Sequence, residues 1–365
     1  MSSRNPWFDN AKMALVTLVV VGHAVVLLPD TAFNEHVYDF LYAWHVPAFV
    51  LVTGYLSRRF SYTPSNLWKL VRTVAVPYVV FECALALFRV YVGGERLEDL
   101  FRDPHWPMWY LSALLVWRLL TPVFKAVPGG PWLALALAVV VSLAAARFAG
   151  QTLDLSRALG LLPFFVMGLY ATPAAFERVT RVAARGAGVA VLVAIWLLTT
   201  YTDRLASTEW LYYRSSYTEL GVGDVEGLLT RAAILVVGAV GAWAFLALVP
   251  STPGWFARMG SATLVVYLFH GFVLKGLIYL GYPDWADSEP MTSFVVTMTG
   301  AVGLALLLAW GPVSRRLQHL VDPLGYAESW LRHAAELHRA ARHVEEGQPR
   351  RTPEDGKADR LSVHG

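Results

Sequence analysis

Ten apolar segments dominate this chain, and each is long enough, or nearly long enough, to cross a lipid bilayer as a helix. They lie at residues 13–28, 37–57, 72–92, 108–125, 131–149, 158–171, 188–202, 229–249, 260–281 and 292–312. Within a bilayer every backbone polar group must bond inside the protein, which favours helices for all of them. Only 16% of the residues are charged, whereas soluble proteins carry about 25%. We therefore predict an all-α protein, a polytopic membrane bundle of about ten transmembrane helices.

The charges in the short loops predict the orientation of the bundle. The loop 57–72 contains four basic and no acidic residues, whereas the loop 282–290 contains three acidic and no basic residues. The positive-inside rule then places the N- and C-termini in the cytoplasm. The first apolar run ends in Leu27-Leu28-Pro29-Asp30, without a small-residue cleavage site, so we expect an uncleaved span. The predicted location is the plasma membrane, crossed many times.

The composition changes towards the C-terminus. We predict a membrane domain over residues 1–316 and a cytoplasmic tail over 317–365. Residues 326–344 have the pattern of one amphipathic helix, and from Glu345 onward the polar, mixed-charge composition predicts disorder. No metal site is expected, because the tail histidines recur at five-residue steps and Cys83 is the single cysteine. We expect no nucleic-acid partner.

Histidines inside apolar segments are the first candidates for chemistry. His23 ends a run that starts after Lys12, and at ~1.5 Å per residue it lies roughly 15 Å past Met13, about half the ~30 Å hydrocarbon thickness. Ionisable residues are rare at that depth. One interpretation of His23 is a structural histidine that hydrogen-bonds between helices, and the other is a general base. His45, in the next segment, lies at a similar depth, so the two histidines either face one cavity or pack separately.

Other polar and aromatic residues also have two interpretations each. Glu82 and Arg118 lie in mid-span, where pairing or a water-filled cavity is expected. The aromatic stretch 106–110 fits either an aromatic belt at the membrane surface or a platform on which a sugar ring stacks. The basic loop from Arg58 to Arg72 fits the positive-inside bias, and it would equally suit an anionic cofactor with several phosphates.

Five groups of residues, in order along the chain, carry a family resemblance. They are Asp9-Asn10-Ala11-Lys12 with Gly22-His23, Trp44-His45-Val46-Pro47 with Gly54-Tyr55, Trp109-Tyr110-Leu111 with Trp117-Arg118-Leu119, Leu162-Pro163-Phe164 with Gly168-Leu169-Tyr170, and Tyr267-Leu268-Phe269-His270-Gly271. With these residues the chain resembles the type 3 integral-membrane acyltransferases, in particular the fucose 4-O-acetylase-like branch, over about residues 4 to 316. The membrane domain is accordingly expected to be an acyltransferase domain.

The resemblance implies an O-acyltransferase. It would take an acyl group, usually acetyl, from acyl-CoA at the cytoplasmic side and pass it to a hydroxyl of a sugar or cell-envelope glycan. Acetyl-CoA is therefore the expected co-substrate, and a sugar or polysaccharide and the lipid bilayer are the expected partners. Many members of the family have an arginine eleven residues before the first histidine. Lys12 holds that place here, so the charge is retained without the two-pronged guanidinium.

The candidate site residues fall into three predicted roles. His23 and His45 are the catalytic candidates, with His23 as the base and His45 either orienting it or binding substrate. Five residues are predicted to hold CoA or to support its binding, namely Asp9, Lys12, Arg58, Arg59 and Arg72. Five are candidates for the acceptor pocket, namely Glu82, Trp109, Tyr110, Arg118 and His270.

A transporter or flippase of a lipid-linked sugar is the alternative from another class. In such a protein the same histidines would relay protons. Its expected signs are a repeat symmetry between the two halves and helices broken at matching places. The sequence displays neither clearly. A structural membrane scaffold is a third possibility, but it leaves the ionisable residues in mid-span unexplained.

Overall fold

A computed structural model describes residues 5–96, 104, 107–148, 152–202 and 206–347 of the chain. Its principal helices are α1 Pro6–Ala24, α2 Ala32–Ser57, α3 Pro64–Tyr91, α4 Trp109–Lys125, α5 Gly130–Phe148, α6 Leu155–Gly160, α7 Leu162–Tyr170, α8 Pro173–Val179, α9 Val182–Thr199, α10 Asp224–Leu248, α11 Trp255–Met259, α12 Thr263–Tyr279, α13 Tyr282–Ser288, α14 Pro290–Ala309, α15 Gly311–Val321 and α16 Pro323–Gly347. Over these ranges the ordered elements are helices, with no strand, so the predicted all-α bundle is confirmed.

The helices cover all ten predicted segments, but they differ in length from the prediction. Within the described ranges, seven are long and apolar enough to span a bilayer, and α12 with α13, bent by 67°, forms a possible eighth. The predicted sixth span is divided into α6 and α7, which meet at Leu161. The third begins earlier than predicted, at Pro64, because Thr63 caps it by accepting a hydrogen bond from the amide of Asn66. The location of the termini stays a prediction.

The first two helices start at sharply defined caps. The side chain of Asn5 accepts a hydrogen bond from the amide of Trp7 at 3.0 Å, and a proline follows at the first helical position. Thr31 caps α2 in the same manner, through the amide of Asn34 at 3.2 Å. These caps satisfy backbone donors that a helix start leaves without partners. They also fix where α1 and α2 begin, and therefore which of their residues lie at mid-depth.

Helices α2 and α7 cross at backbone contact distance. Gly54 of α2 and Gly168 of α7 lie at the crossing, and a Cβ atom at Gly54 would overlap the carbonyl oxygen of Phe165. Small residues at such a crossing let two helices approach closely, as is common in membrane bundles. Helix α1 packs against α2, α12 and α14. The two histidine-bearing helices are thereby held among neighbours that cover most of their surface.

An ion-pair cluster closes the far end of α3. The carboxylate of Glu95 accepts hydrogen bonds from Arg89 Nε at 2.6 Å and from the Tyr279 hydroxyl at 2.5 Å, and Lys275 Nζ lies 3.4 Å away. Burial of the carboxylate opposes its ionisation, but the hydrogen bonds from Tyr279 and Arg89, with the charge of Lys275, outweigh burial and lower the pKa of Glu95 to about 2. The cluster ties α3 to α12.

Contacts within the chain divide it into two units, Met1–Val321 and Asp322–Gly365. In the first unit, α15 packs against α12 and α14. In the second unit, α16 runs from Pro323 to Gly347 and contains the predicted amphipathic helix over residues 326–344. The helix continues past Glu345, where disorder was predicted to start, and the rest of that predicted disordered segment, from residue 348, lies outside the described residues.

Candidate active site

Three cavities lie in series along α1 and α2. The Lys12 cavity has a volume of about 570 Å³, and α1 contributes Lys12 and Leu15 to it. The histidine cavity is a narrow space of about 20 Å³ lined by Val19 and His23 of α1. The Tyr38 cavity, about 240 Å³, lies past the end of α1, where Val25, Val26 and Leu28 line it.

Helix α2 lines the same three cavities in the opposite order. It contributes Phe49, Val52, Thr53 and Leu56 to the Lys12 cavity, then Tyr42, His45, Val46 and Phe49 to the histidine cavity, and Asn34, Glu35 and Tyr38 to the Tyr38 cavity. Phe49, Tyr110 and Tyr267 line both the Lys12 cavity and the histidine cavity, so these two spaces adjoin. The histidine cavity therefore lies between two larger cavities at opposite ends of the bundle.

His23 forms a buried pair with His270 of α12. The Nδ1 atom of His23 lies 2.8 Å from Nε2 of His270, and the two rings are stacked with centroids 5.1 Å apart. The Nδ1 atom of His270 lies 3.1 Å from the carbonyl oxygen of Val266. A carbonyl only accepts, so the neutral His270 carries its proton on Nδ1 and accepts at Nε2. His23 must then donate from Nδ1, which leaves Nε2 as its basic nitrogen.

This pairing corrects one prediction and reassigns another residue. His45 was a candidate to orient His23, but its Nδ1 hydrogen-bonds the carbonyl of Leu41 at 2.6 Å, one turn back on its own helix. The residue that orients His23 is His270, which was predicted for the acceptor pocket. His45 nevertheless lines the histidine cavity beside His23, and the same argument from the carbonyl partner leaves its basic Nε2 without a proton. The two histidines thus share one cavity.

Arg157, which the sequence analysis missed, also lines the histidine cavity. Its side chain is 11% exposed and its guanidinium lies 3.9 Å above the ring of Trp109. Nη1 is 3.8 Å from Asp154, and Nε has no hydrogen-bond partner within the described part of the chain. Both Leu153 and Asp154 have positive φ, an unfavourable conformation for these residue types. The strained turn at Leu153 and Asp154 therefore places Arg157 inside the bundle, beside the histidine cavity.

The only sequence signal for Arg157 is its position immediately before an apolar segment, three residues after Asp154. An arginine at such a position is normally assigned to the membrane surface. The prediction placed the start of the sixth span at residue 158, which left Arg157 outside it. Because α6 is a short buried helix, Arg157 instead lies inside the bundle.

The Lys12 cavity gathers basic side chains. Lys12, Lys69 and Arg118 line it together with the hydroxyl groups of Thr73 and Ser261. Lys12 Nζ lies 2.8 Å from Asp9 Oδ1, so these two predicted CoA-site residues form an ion pair near the start of α1. Arg118 was predicted for the acceptor pocket, but it lies in this cavity, because residue 118 is more than two turns into α4 and on the same side as Tyr110.

The three arginines of the basic loop lie near the Lys12 cavity in sequence but are not part of its lining among the described residues. Arg58 stacks 3.6 Å from the ring of Tyr55 and donates to the Tyr55 carbonyl at 2.8 Å. Arg59 is exposed, and Arg72 lies on the π-helical stretch Val71–Ala75. Within the described residues, none of these three arginines lines the Lys12 cavity. Their contact with CoA stays a prediction. Lys69, from the same basic stretch, lines the Lys12 cavity.

Two aromatic candidates lie where the cavities meet. Trp109 and Tyr110 both line the histidine cavity, and the hydroxyl groups of Tyr110 and Thr53 are 2.5 Å apart. Trp109 is buried, Tyr110 is partly buried, and both face the interior cavity, so the structure opposes the alternative of a surface aromatic belt for them. Trp106 of the same stretch lies outside the described residues. Glu82 is fully buried in α3, and among the described residues it is not part of the lining of the three cavities.

Comparisons with known proteins relate the chain to an acyltransferase family. The model of a family described as an acyltransferase domain matches residues 5–310. The chain is 29% identical over 157 residues to the nodulation protein NolL of Sinorhizobium fredii, covering 39% of this chain and 43% of that protein. It is 27% identical over 199 residues to the nodulation protein NolL of Mesorhizobium japonicum, covering 48% and 50%. The matched region thus spans half or less of these relatives. No solved structure matches the chain significantly.

Proposed function

The chain belongs to the integral-membrane acyltransferase family, and on that premise we propose that it moves an acyl group, acetyl in the expected case, from acyl-CoA to a hydroxyl of a sugar or cell-envelope glycan. The observation that carries the proposal is the series of three cavities with His23 in the narrow middle one. Two substrates entering from opposite ends of α1 and α2 would meet at this histidine. A direct transfer needs such a meeting point, because both substrates must then reach one base at the same time.

The Lys12 cavity is the proposed donor site. Its volume of about 570 Å³ lies within the ~300–1,000 Å³ range of small-molecule pockets. Lys12, Lys69 and Arg118 offer the positive charge that the phosphates of CoA require. At ~1.5 Å per residue, the eleven residues from Lys12 to His23 span roughly 16 Å along α1. A thioester at the end of the extended CoA arm is expected to reach His23 while its phosphates stay near Lys12.

The proposed reaction is a direct transfer with His23 as general base. Nε2 of His23 takes the proton of the acceptor hydroxyl while that oxygen attacks the thioester carbonyl carbon. The carbonyl electron pair moves onto its oxygen, and it returns when the C–S bond breaks. The departing CoA sulfur then receives the proton from His23, which restores the neutral base. His270 supports this cycle by holding His23 in the tautomer with its proton on Nδ1.

Arg157 has the properties needed to stabilise the oxyanion of this transition state. A guanidinium keeps its charge even when buried, and its N–H groups suit an anionic oxygen. In a water-poor cavity a fixed donor is worth far more than in solution. Stacking on Trp109 holds the guanidinium plane in place, and the buried carboxylate of Asp154 pairs with Nη1 at 3.8 Å, beyond hydrogen-bond distance. We assign Arg157 this role in the proposed reaction.

The proposed topology places the Lys12 cavity at the cytoplasmic side of the plasma membrane, where acyl-CoA is available. The basic loop 57–72 and the start of α1 lie at this end, in agreement with the positive-inside rule. Because Cys83 is the single cysteine, a Cys83→Ala background allows single-cysteine labelling of each loop. Residue 60 should then be protected from a membrane-impermeant maleimide added to intact cells, and residue 287 should be labelled.

Transfer of label from acetyl-CoA tests the proposed activity. Membranes with the wild-type protein should form base-labile acetyl esters on envelope glycans, and His23→Ala should lower the rate about 10²- to 10⁴-fold. His36→Ala is the matched control, because His36 lies near the start of α2, packs on Trp196 and does not line any of the three cavities. Acyl-CoA neither bound nor consumed by correctly inserted protein, together with proton-coupled sugar flux, would favour the transporter alternative instead.

A further inference from the structure

The Tyr38 cavity is a recess at the end of the bundle opposite to Lys12. It is lined by residues from the turn after α1, from the start of α2 and from the segment Thr208–Tyr212. Its volume of about 240 Å³ is below the ~300–1,000 Å³ range of pockets for drug-sized ligands. The recess is therefore suited to a single small ring rather than to a long stretch of polymer.

Three tyrosines separate this recess from the histidine cavity. The ring of Tyr38 stacks on the ring of Tyr42 with centroids 4.1 Å apart, and Tyr42 meets His45 edge-on at 4.8 Å. The hydroxyl of Tyr212 donates to the hydroxyl of Tyr38 at 2.9 Å. Tyr38 and Tyr212 line the recess, whereas Tyr42 lines the histidine cavity. A molecule held against Tyr38 is thus separated from the catalytic histidines by one stacked ring.

The lining has the chemistry that recognises a sugar. Aromatic rings pack against the apolar C–H face of a pyranose, and carboxylate and hydroxyl oxygens accept hydrogen bonds from its hydroxyls. Tyr38 and Tyr212 supply the rings, while Asp30, Glu35 and Thr208 supply the oxygens. Among the described residues that line the recess none is basic, and two are acidic. An anionic sugar would therefore be repelled at the entrance.

We propose that the Tyr38 cavity binds the acceptor as a neutral pyranose and selects it against sugars that carry a carboxylate. The proposal rests on the acyltransferase function proposed above and names its acceptor class. The pyranose ring would stack on Tyr38 and Tyr212. Rotation of the Tyr42 side chain would then let a hydroxyl of the sugar reach His23. Gly22 leaves room for this movement, because a side chain there would stand about 3.3 Å from the Tyr42 ring.

Competition between matched acceptors tests the selection. Purified protein in nanodiscs would receive labelled acetyl-CoA and an equimolar mixture of methyl hexosides, methyl 6-deoxyhexosides and the corresponding methyl hexuronosides, and mass spectrometry would identify the labelled products. We expect label in neutral glycosides. The double variant Asp30→Asn, Glu35→Gln should improve the use of hexuronosides about five- to tenfold, because it removes two repulsive charges. Equal labelling of neutral and anionic acceptors by the wild type would overturn the proposal.

Tyr38 variants test the site itself. Tyr38→Ala should raise the KM for the neutral acceptor about tenfold, the value of one lost stacking contact, and leave the KM for acetyl-CoA unchanged. Tyr38→Phe, which keeps the ring but loses the hydroxyl that accepts from Tyr212, should raise the acceptor KM less than Tyr38→Ala does. Tyr91→Ala is the control, since Tyr91 is 82% exposed. An acceptor KM unaffected by Tyr38→Ala would refute the site.

Acetyl-CoA consumption separates this proposal from the proposed function. Acetyl-CoA that is bound and hydrolysed while no glycoside is labelled would reject the Tyr38 cavity as a neutral-sugar site and leave the acyltransferase assignment in place. If purified protein neither binds nor consumes acetyl-CoA, the proposed donor fails, and the acceptor proposal fails with it.

Discussion

Replacement of His270 tests whether this residue orients the proposed base, His23, while the base itself stays in place. In His270→Ala the Nδ1–H donor of His23 loses its acceptor inside a buried site, which costs about 1–3 kcal/mol. The ring avoids that cost by turning or by moving its proton to Nε2, and either change removes the productive base. A cost of 1–3 kcal/mol corresponds to about 5- to 150-fold in rate. We therefore expect kcat to fall by that factor, less than in His23→Ala.

The matched variant is His270→Gln. The amide oxygen of glutamine can occupy the position of Nε2 and accept from His23, so this variant should retain activity within about threefold of wild type. The assay is single-turnover transfer from labelled acetyl-CoA, with detergent-solubilised protein checked by size-exclusion chromatography and thermal melting. Equal loss in His270→Ala and His270→Gln, or full activity in His270→Ala, would refute the assignment of tautomers.

Four further predictions follow from the structure. Lys12→Gln should raise the KM for acetyl-CoA about tenfold with little change in kcat, as steady-state kinetics would detect, and Lys12→Arg should restore it. Arg157→Gln should lower kcat about 10²- to 10³-fold with acetyl-CoA binding by equilibrium dialysis unchanged, and addition of guanidinium to Arg157→Ala should recover part of the rate. Gly54→Ala should reduce stability by about 3 kcal/mol, seen as a lower melting temperature, because the added methyl group overlaps the carbonyl of Phe165. The pKa of Glu95 is about 2 in the folded protein and about 4.3 in the unfolded chain. The stabilisation from its ionised form is therefore complete above about pH 4.3 and is lost as the pH falls to about 2. Melting curves should show that Glu95→Gln lowers the free energy of unfolding by about 0.5–1 kcal/mol at pH 7 and by little at pH 2.

The sequence predicted the elements of this protein well because membrane helices are specified locally. A run of apolar residues forms a helix in a bilayer whatever surrounds it, so the all-α fold followed from composition and length, although in the described part of the chain only seven or eight of the ten predicted segments are helices long enough to span. The positions of His23 and His45 along α1 and α2 also followed, because rise per residue and a short connecting loop fix relative depth. The spacing between Lys12 and His23 is likewise a property of one helix.

The partners of these residues depended on how the helices pack. His23 and His270 are 247 residues apart, and their pairing requires α1 and α12 to lie side by side with one rotation about each axis. Local periodicity specifies neither. Arg157 lies inside the bundle because the helix is interrupted at Leu161 and the chain turns at Asp154. Arg118 lines the Lys12 cavity because of the rotation of α4 about its axis. Helix order and rotation come from long-range contacts, so the sequence alone determined the depth of each candidate residue, and only the tertiary structure decided which residues meet.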